Sequence, residues 1–162
     1  MEFSLIVYSE LDINSFINQI DTILNSSLNF SVKALKDEEL VSFAYIHFTC
    51  FISREIDEIE GDYLKHCFDE FGINGTYSIS IQLFRETYME GLVSLFGVIR
   101  DLLKNNSGDL GLIGTGNGMP IFKRTDNVLW AANNRSEYYF DFPFYEINPD
   151  LDGYPGGSHC GG

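Results

Sequence analysis

An α+β fold is what this sequence predicts: a mostly antiparallel sheet with two or three helices packed mainly on one face. Three observations predict it. Residues 76–84 alternate, with Tyr77, Ile79, Ile81 and Leu83 against Thr76, Ser78, Ser80 and Gln82, the period of a strand with one buried face and one wet or lightly covered. Residues 88–104 place Leu92, Leu95, Phe96, Ile99, Leu102 and Leu103 at three- and four-residue steps, the stripe of an amphipathic helix. Short apolar runs broken by turn residues then follow, which read as a strand meander. The expected element order is β-α-β-β-α-β-α-β-β, with the long helix across one face of the sheet.

Along the chain, Phe3, Leu5 and Val7 alternate with Ser4, Ile6 and Tyr8 in a first strand covered at least partly on both faces. Asp12 or Asn14 can cap the next helix, whose stripe is Ile13, Phe16, Ile17, Ile20 and Leu24, and Asn25–Ser27 are expected to end it. A second strand is expected from Leu28 to about Lys36, and the polar break 36–39 suits a hairpin turn or the first turn of a helix. Residues 40–52 are apolar almost throughout and rich in aromatic and β-branched types. That favours one long central strand, although periodicity alone leaves a buried helix open.

Residues 55–71 read as an acidic helix with Ile56, Ile59, Tyr63, Leu64, Cys67 and Phe68 inside, and Gly61 leaves open a start only at Asp62. In the long helix, Thr87 and Glu90 match a capping box, and Gly91 and Gly97 require a close neighbour to offset about 1 kcal/mol each. Residues 109–114 and 119–123 flank a Thr-Gly-Asn-Gly turn, and Val128–Ala132 reads as the last regular strand. Beyond Asn133, Tyr138, Tyr139, Phe140, Phe142, Phe144 and Tyr145 interleave with Glu137, Asp141 and Glu146, either closing the core or forming an aromatic and acidic binding strip. Residues 1–150 are expected to form one domain, and the glycine-rich 151–162 a flexible tail.

Charge narrows the function. The net charge is −14, and two segments hold most of it: residues 55–70 carry −6 and residues 137–152 carry −5. Such surfaces repel phosphate backbones and anionic membranes and steer a basic protein inward. The opening residues lack a basic leader, no run reaches the length of a membrane span, and three cysteines at unrelated spacings fit a reducing compartment, so a cytoplasmic location is expected.

No Gly-x-Ser-x-Gly, His-Glu-x-x-His or Cys-x-x-Cys occurs. Gly114, Gly116 and Gly118 follow a helix and precede a strand, the reverse of a dinucleotide-binding turn. His47 reads as a hydrogen-bonded core residue, and His66–Cys67, as helix neighbours, cannot easily share a metal. A non-enzymatic protein without cofactor or metal is therefore expected.

The succession of strand 76–84, helix 88–104, Gly108-Asp109 and a strand meander ending near Trp130 resembles the C-terminal half of Sit-type immunity proteins, small bacterial antidotes to delivered toxins. More broadly the chain is similar to contact-dependent growth-inhibition immunity proteins. The acidic insertion 55–70 and the aromatic segment after Asn133 depart from that pattern. The resemblance implies binding of one cognate toxin domain, and the charge indicates a basic nuclease. The residues expected to meet it are Glu55, Asp57, Glu58, Glu60, Asp62, Asp69, Glu70, Tyr138, Tyr139, Asp141 and Glu146. The alternatives are a small carboxylate-dependent hydrolase using His47, or an acidic adaptor protein.

Overall fold

The computed structural model describes residues 1–28, 33–132 and 142–148. Its strands are β1 (Glu2–Val7), β2 (Lys33–Lys36), β3 (Leu40–Ala44), β4 (Phe48–Ser53), β5 (Tyr77–Leu83), β6 (Leu110–Gly114), β7 (Pro120–Thr125) and β8 (Val128–Ala131). Its helices are α1 (Ile13–Ser27), α2 (Glu58–Phe71) and α3 (Tyr88–Asn105). The strands form one antiparallel sheet in the order β2-β3-β4-β5-β1-β6-β7-β8, so the fold is α+β as the alternation and the helical stripes imply.

The two faces of the sheet are unequal. On one, Phe3, Leu5, Cys50, Ile79, Ile81 and Leu112 meet the apolar stripes of α1 and α3 in the main core. Phe142 and Phe144 join it, with rings 5.9 and 5.6 Å from that of Phe96, so this end of the aromatic segment closes the core. On the other face α2 packs through a small cluster of Ile6, Leu64, Cys67, Ile73 and Ile113.

The sheet has two more strands than expected. The apolar run 40–52 is a hairpin, β3 and β4, closed where Tyr45 N–H donates to the Phe48 carbonyl at 3.0 Å. Its signature is a change of parity: Val41 and Phe43 are buried in β3, then Phe48, Cys50 and Ile52 in β4. A continuous strand would hold one parity throughout. The other is β8, the third strand after α3, which the expected order left out but which matches the strand read at Val128–Ala132.

Helix α1 continues through Asn25–Ser27 instead of ending there, because the Asn25 amide folds back on the Asp21 carbonyl and carboxylate at 2.8 and 2.7 Å. The strand expected from Leu28 accordingly begins at Lys33, and residues 29–32 lie outside the described residues. The capping box of α3 does not form. A 3-10 turn, Arg85–Thr87, precedes the helix, and the Thr87 hydroxyl makes no cap bond. Gly91 has the close neighbour it needs: a Cβ there would lie 3.0 Å from the Leu83 side chain and 3.2 Å from the His47 carbonyl. Gly97 does not, since only the end of Arg100 comes within 3.8 Å.

Candidate partner-binding surface

Helix α2 carries the acidic segment, and its ends are well fixed. Asp57 is its N-cap, the carboxylate accepting from Glu60 N–H at 2.8 Å, so the helix starts ahead of Gly61. At the other end Gly72 takes the left-handed conformation, its N–H donating to the Phe68 carbonyl at 2.9 Å and that of Ile73 to the Cys67 carbonyl at 3.3 Å. Lys123 of β7 donates to the Phe71 carbonyl at 2.8 Å, placing a cation where the helix dipole favours one.

Leu64, Cys67 and the half-buried Phe71 step by three and four residues along the inner face. At 100° per residue, Glu58, Asp62, Lys65 and Asp69 then fall on the opposite side as an outward ridge, and all four are exposed. Ile59, Tyr63, His66 and Glu70 form a second ridge on one flank. Among the described residues, Glu55, Glu58, Asp62, Asp69 and Glu70 enter no ion pair. The inner stripe expected from the sequence is too wide: Ile59 is 80% exposed, Phe68 55% and Ile56 45%. Leu64 and Cys67 sit deepest because, among the described residues, this face of the sheet is covered by a single helix and has few apolar partners to offer.

The structure does not bring all the expected partner-binding residues together. Glu60 points inward, its carboxylate accepting from the Ser78 hydroxyl at 2.9 Å. Burial raises its pKa, the bond from Ser78 offsets part of that, and Asp57 raises it further. Glu146 lies across the sheet, in a 3-10 turn (Phe144–Glu146) beside α3, and pairs with Arg100 at 3.5 Å. The two acidic segments therefore do not make one surface through Glu146. Tyr138, Tyr139 and Asp141 lie outside the described residues.

Beside α2 the described residues leave the same sheet face uncovered, and sequence reasoning assigned no role to its wet side chains. Even-numbered residues of β1 and β5 and odd-numbered residues of β4 point there, opposite the core residues Phe3, Ile81 and Cys50. Glu2, Ser4, Phe51, Ser80, Gln82 and Thr115 line an open trough of about 140 Å³. The signal was present in the alternation but carried no chemistry until the strand order placed β4, β5 and β1 side by side.

Larger hollows lie among the described residues, one of about 340 Å³ by Met1, Glu2, Phe3 and Asn117 and another of about 300 Å³ by Tyr8, Glu10, Gln19 and Asn106. Each of these three sites has one carboxylate among its described lining residues and no histidine, cysteine or lysine. His47 caps the β3–β4 hairpin, edge-on to Tyr45, with its Nδ1 buried and unpartnered, so the hydrogen bond expected of a core histidine is missing at that nitrogen. Burial pushes the Cys50 thiol up to about 12 and raises Cys67, leaving both as poor nucleophiles. Among the described residues no three His, Cys, Asp or Glu side chains converge on a metal position, and no helix is long and apolar enough to cross a membrane. No protein-family model matches the chain, and neither a curated protein nor a solved structure matches it.

Proposed function

We propose that this protein is an immunity protein that binds one cognate toxin domain, a basic nuclease, and neutralises it without turning over any substrate. The observation that carries the reading is the outward ridge of α2, where Glu58, Asp62 and Asp69 stand exposed and, among the described residues, unpaired. A nuclease holds its substrate through cationic groups that meet phosphates spaced along a backbone. Carboxylates stepping along a helix meet the same groups, and they raise the association rate of a cationic partner most at low ionic strength. Glu55 and Glu70 extend the field at either end. Acting in the cytoplasm, such a protein protects its own cell from the toxin.

The experiment is co-expression of this chain with a nuclease toxin domain drawn from the reading frames neighbouring its own gene, using Glu58→Lys, Asp62→Lys and Asp69→Lys together. Asp57 is left intact because it caps the helix, and Glu60 because it faces inward. The expected result is lost protection and an association rate constant at least tenfold lower, with the parent's salt dependence flattened. Full protection by the triple variant, with an association rate insensitive to salt in the parent, overturns the reading.

A further inference from the structure

The trough beside α2 has chemistry of its own. Strand register lays two rows of side chains across it: Phe51, Ser80 and Ser4 in one, Thr49, Gln82 and Glu2 in the next. At its rim Thr115 donates to the Glu2 carbonyl through N–H and hydroxyl at 3.2 and 3.1 Å, which holds the β6–β7 turn against the first residues of β1. Tyr63 of α2 lies beside Ser4, so the helix flank is the neighbouring wall.

Among the described residues the lining holds one charge, the exposed Glu2 carboxylate, one half-buried aromatic ring, Phe51, and a floor of hydroxyl and amide groups, with no basic residue. An anion meets the Glu2 carboxylate, the formal charge of the lining, and an apolar group leaves that carboxylate without a partner. An ammonium can meet the carboxylate, but it is a compact, strongly hydrated charge with no plane to stack on the ring. A guanidinium suits the set: it is planar, stacks on an aromatic face, offers five N–H donors, and is more weakly hydrated than ammonium.

We propose that the trough is a guanidinium site that takes an arginine side chain on the surface of the basic partner, with Phe51 beneath the plane and Glu2 accepting at its edge. Serine, glutamine and threonine oxygens along the two rows accept the remaining N–H groups. Naming the owner of that arginine rests on the function proposed above; the site itself does not.

The test uses the full chain, isotopically labelled for amide NMR and carrying no N-terminal tag, titrated with N-acetyl-arginine amide and then with its neutral isostere N-acetyl-citrulline amide. Saturable shifts at Glu2, Phe51, Ser80, Gln82 and Thr115 are expected, with citrulline at least fivefold weaker. Glu2→Gln should bring the arginine derivative down to the citrulline level, and Phe51→Leu should weaken it at least threefold. Shifts that do not saturate, that lie elsewhere, or that citrulline reproduces at equal affinity overturn the site. Arginine amide binding in the trough while the toxin domain fails to bind the parent chain overturns the immunity reading and leaves the site standing. A toxin complex whose affinity Glu2→Gln leaves unchanged overturns the site's role in that complex and leaves the immunity reading standing.

Discussion

Replacing Arg124 with methionine tests how the Gly108-Asp109 junction holds the molecule together. From β7, Arg124 donates through Nη1 to the Leu103 carbonyl at 2.9 Å, through Nη2 to those of Asn106 and Gly108 at 2.5 and 2.6 Å, and through Nε to Gly108 again at 3.1 Å. One guanidinium thus closes the C-terminal end of α3 and its exit loop. Gly108 is obligatory in that loop, since a Cβ would lie 2.4 Å from the Tyr8 ring. Asp109 then ties down two more segments, accepting from Asn74 N–H at 2.9 Å and Asp126 N–H at 3.3 Å. Methionine keeps most of the apolar stem and removes every donor. Hydrogen bonds from a charged group contribute about 1.5–3 kcal/mol each, but these carbonyls are only half buried and regain some water. The net loss should be about 3 kcal/mol, a fall in melting temperature of about 6–12 °C for a domain of this size. Lysine keeps the charge without the fork and should recover about 1 kcal/mol. Urea unfolding followed by circular dichroism measures this. An Arg124→Met midpoint within about 0.5 kcal/mol of the parent at unchanged slope would refute the reasoning.

Two further outcomes bear on α2. Asp57→Ala should cost about 1 kcal/mol of stability through the lost N-cap, whereas Glu58→Ala should stay within about 0.5 kcal/mol; urea midpoints at pH 7 separate them. Glu60→Gln should stabilise the protein at pH 7, because the folded state raises this carboxyl above its unfolded value and so penalises the charged form. That penalty is present above the folded pKa and fades as pH falls through it toward the ordinary glutamate range, so parent and variant should converge near pH 4. A gap between them that widens on acidification contradicts the assignment.

The main core was legible because its residues repeat with one period over each element: Ile79, Ile81 and Leu83 in β5, Leu92, Leu95, Phe96 and Ile99 in α3. The β3–β4 hairpin was harder, since Tyr45–His47 contains no glycine, proline or asparagine and only the parity of buried residues marks the turn. On α2 the acidic residues and both helix ends were readable, but not the depth of the buried stripe. Which of Ile56, Ile59 and Phe68 are covered depends on the breadth of apolar sheet beneath, a property of strands distant in sequence. The trough was invisible for the same reason: Phe51 and Ser80, and Ser80 and Ser4, become neighbours only through strand pairing. Glu146 looked like a companion of the α2 carboxylates by composition, and only the chain path shows it beside α3.

The unequal faces of the sheet also indicate where binding can be hosted at least cost to the fold. Stability resides with α1, α3 and the Phe142–Phe144 turn, where substitution leaves a cavity in a dense core. The α2 face rests on a far smaller apolar cluster, and the trough beside the helix presents hydroxyls, an amide, the Glu2 carboxylate and the Phe51 ring. A polar surface of this kind gains little by staying bare, and it changes little in stability when its charges are exchanged. Under the proposed function, specificity for the partner is altered through Glu58, Asp62, Asp69, Glu2 and Phe51 while the other side holds the fold. Asp57 and Glu60 are the points where the two demands meet, since each belongs to the acidic segment by charge and to the fold by its hydrogen bond.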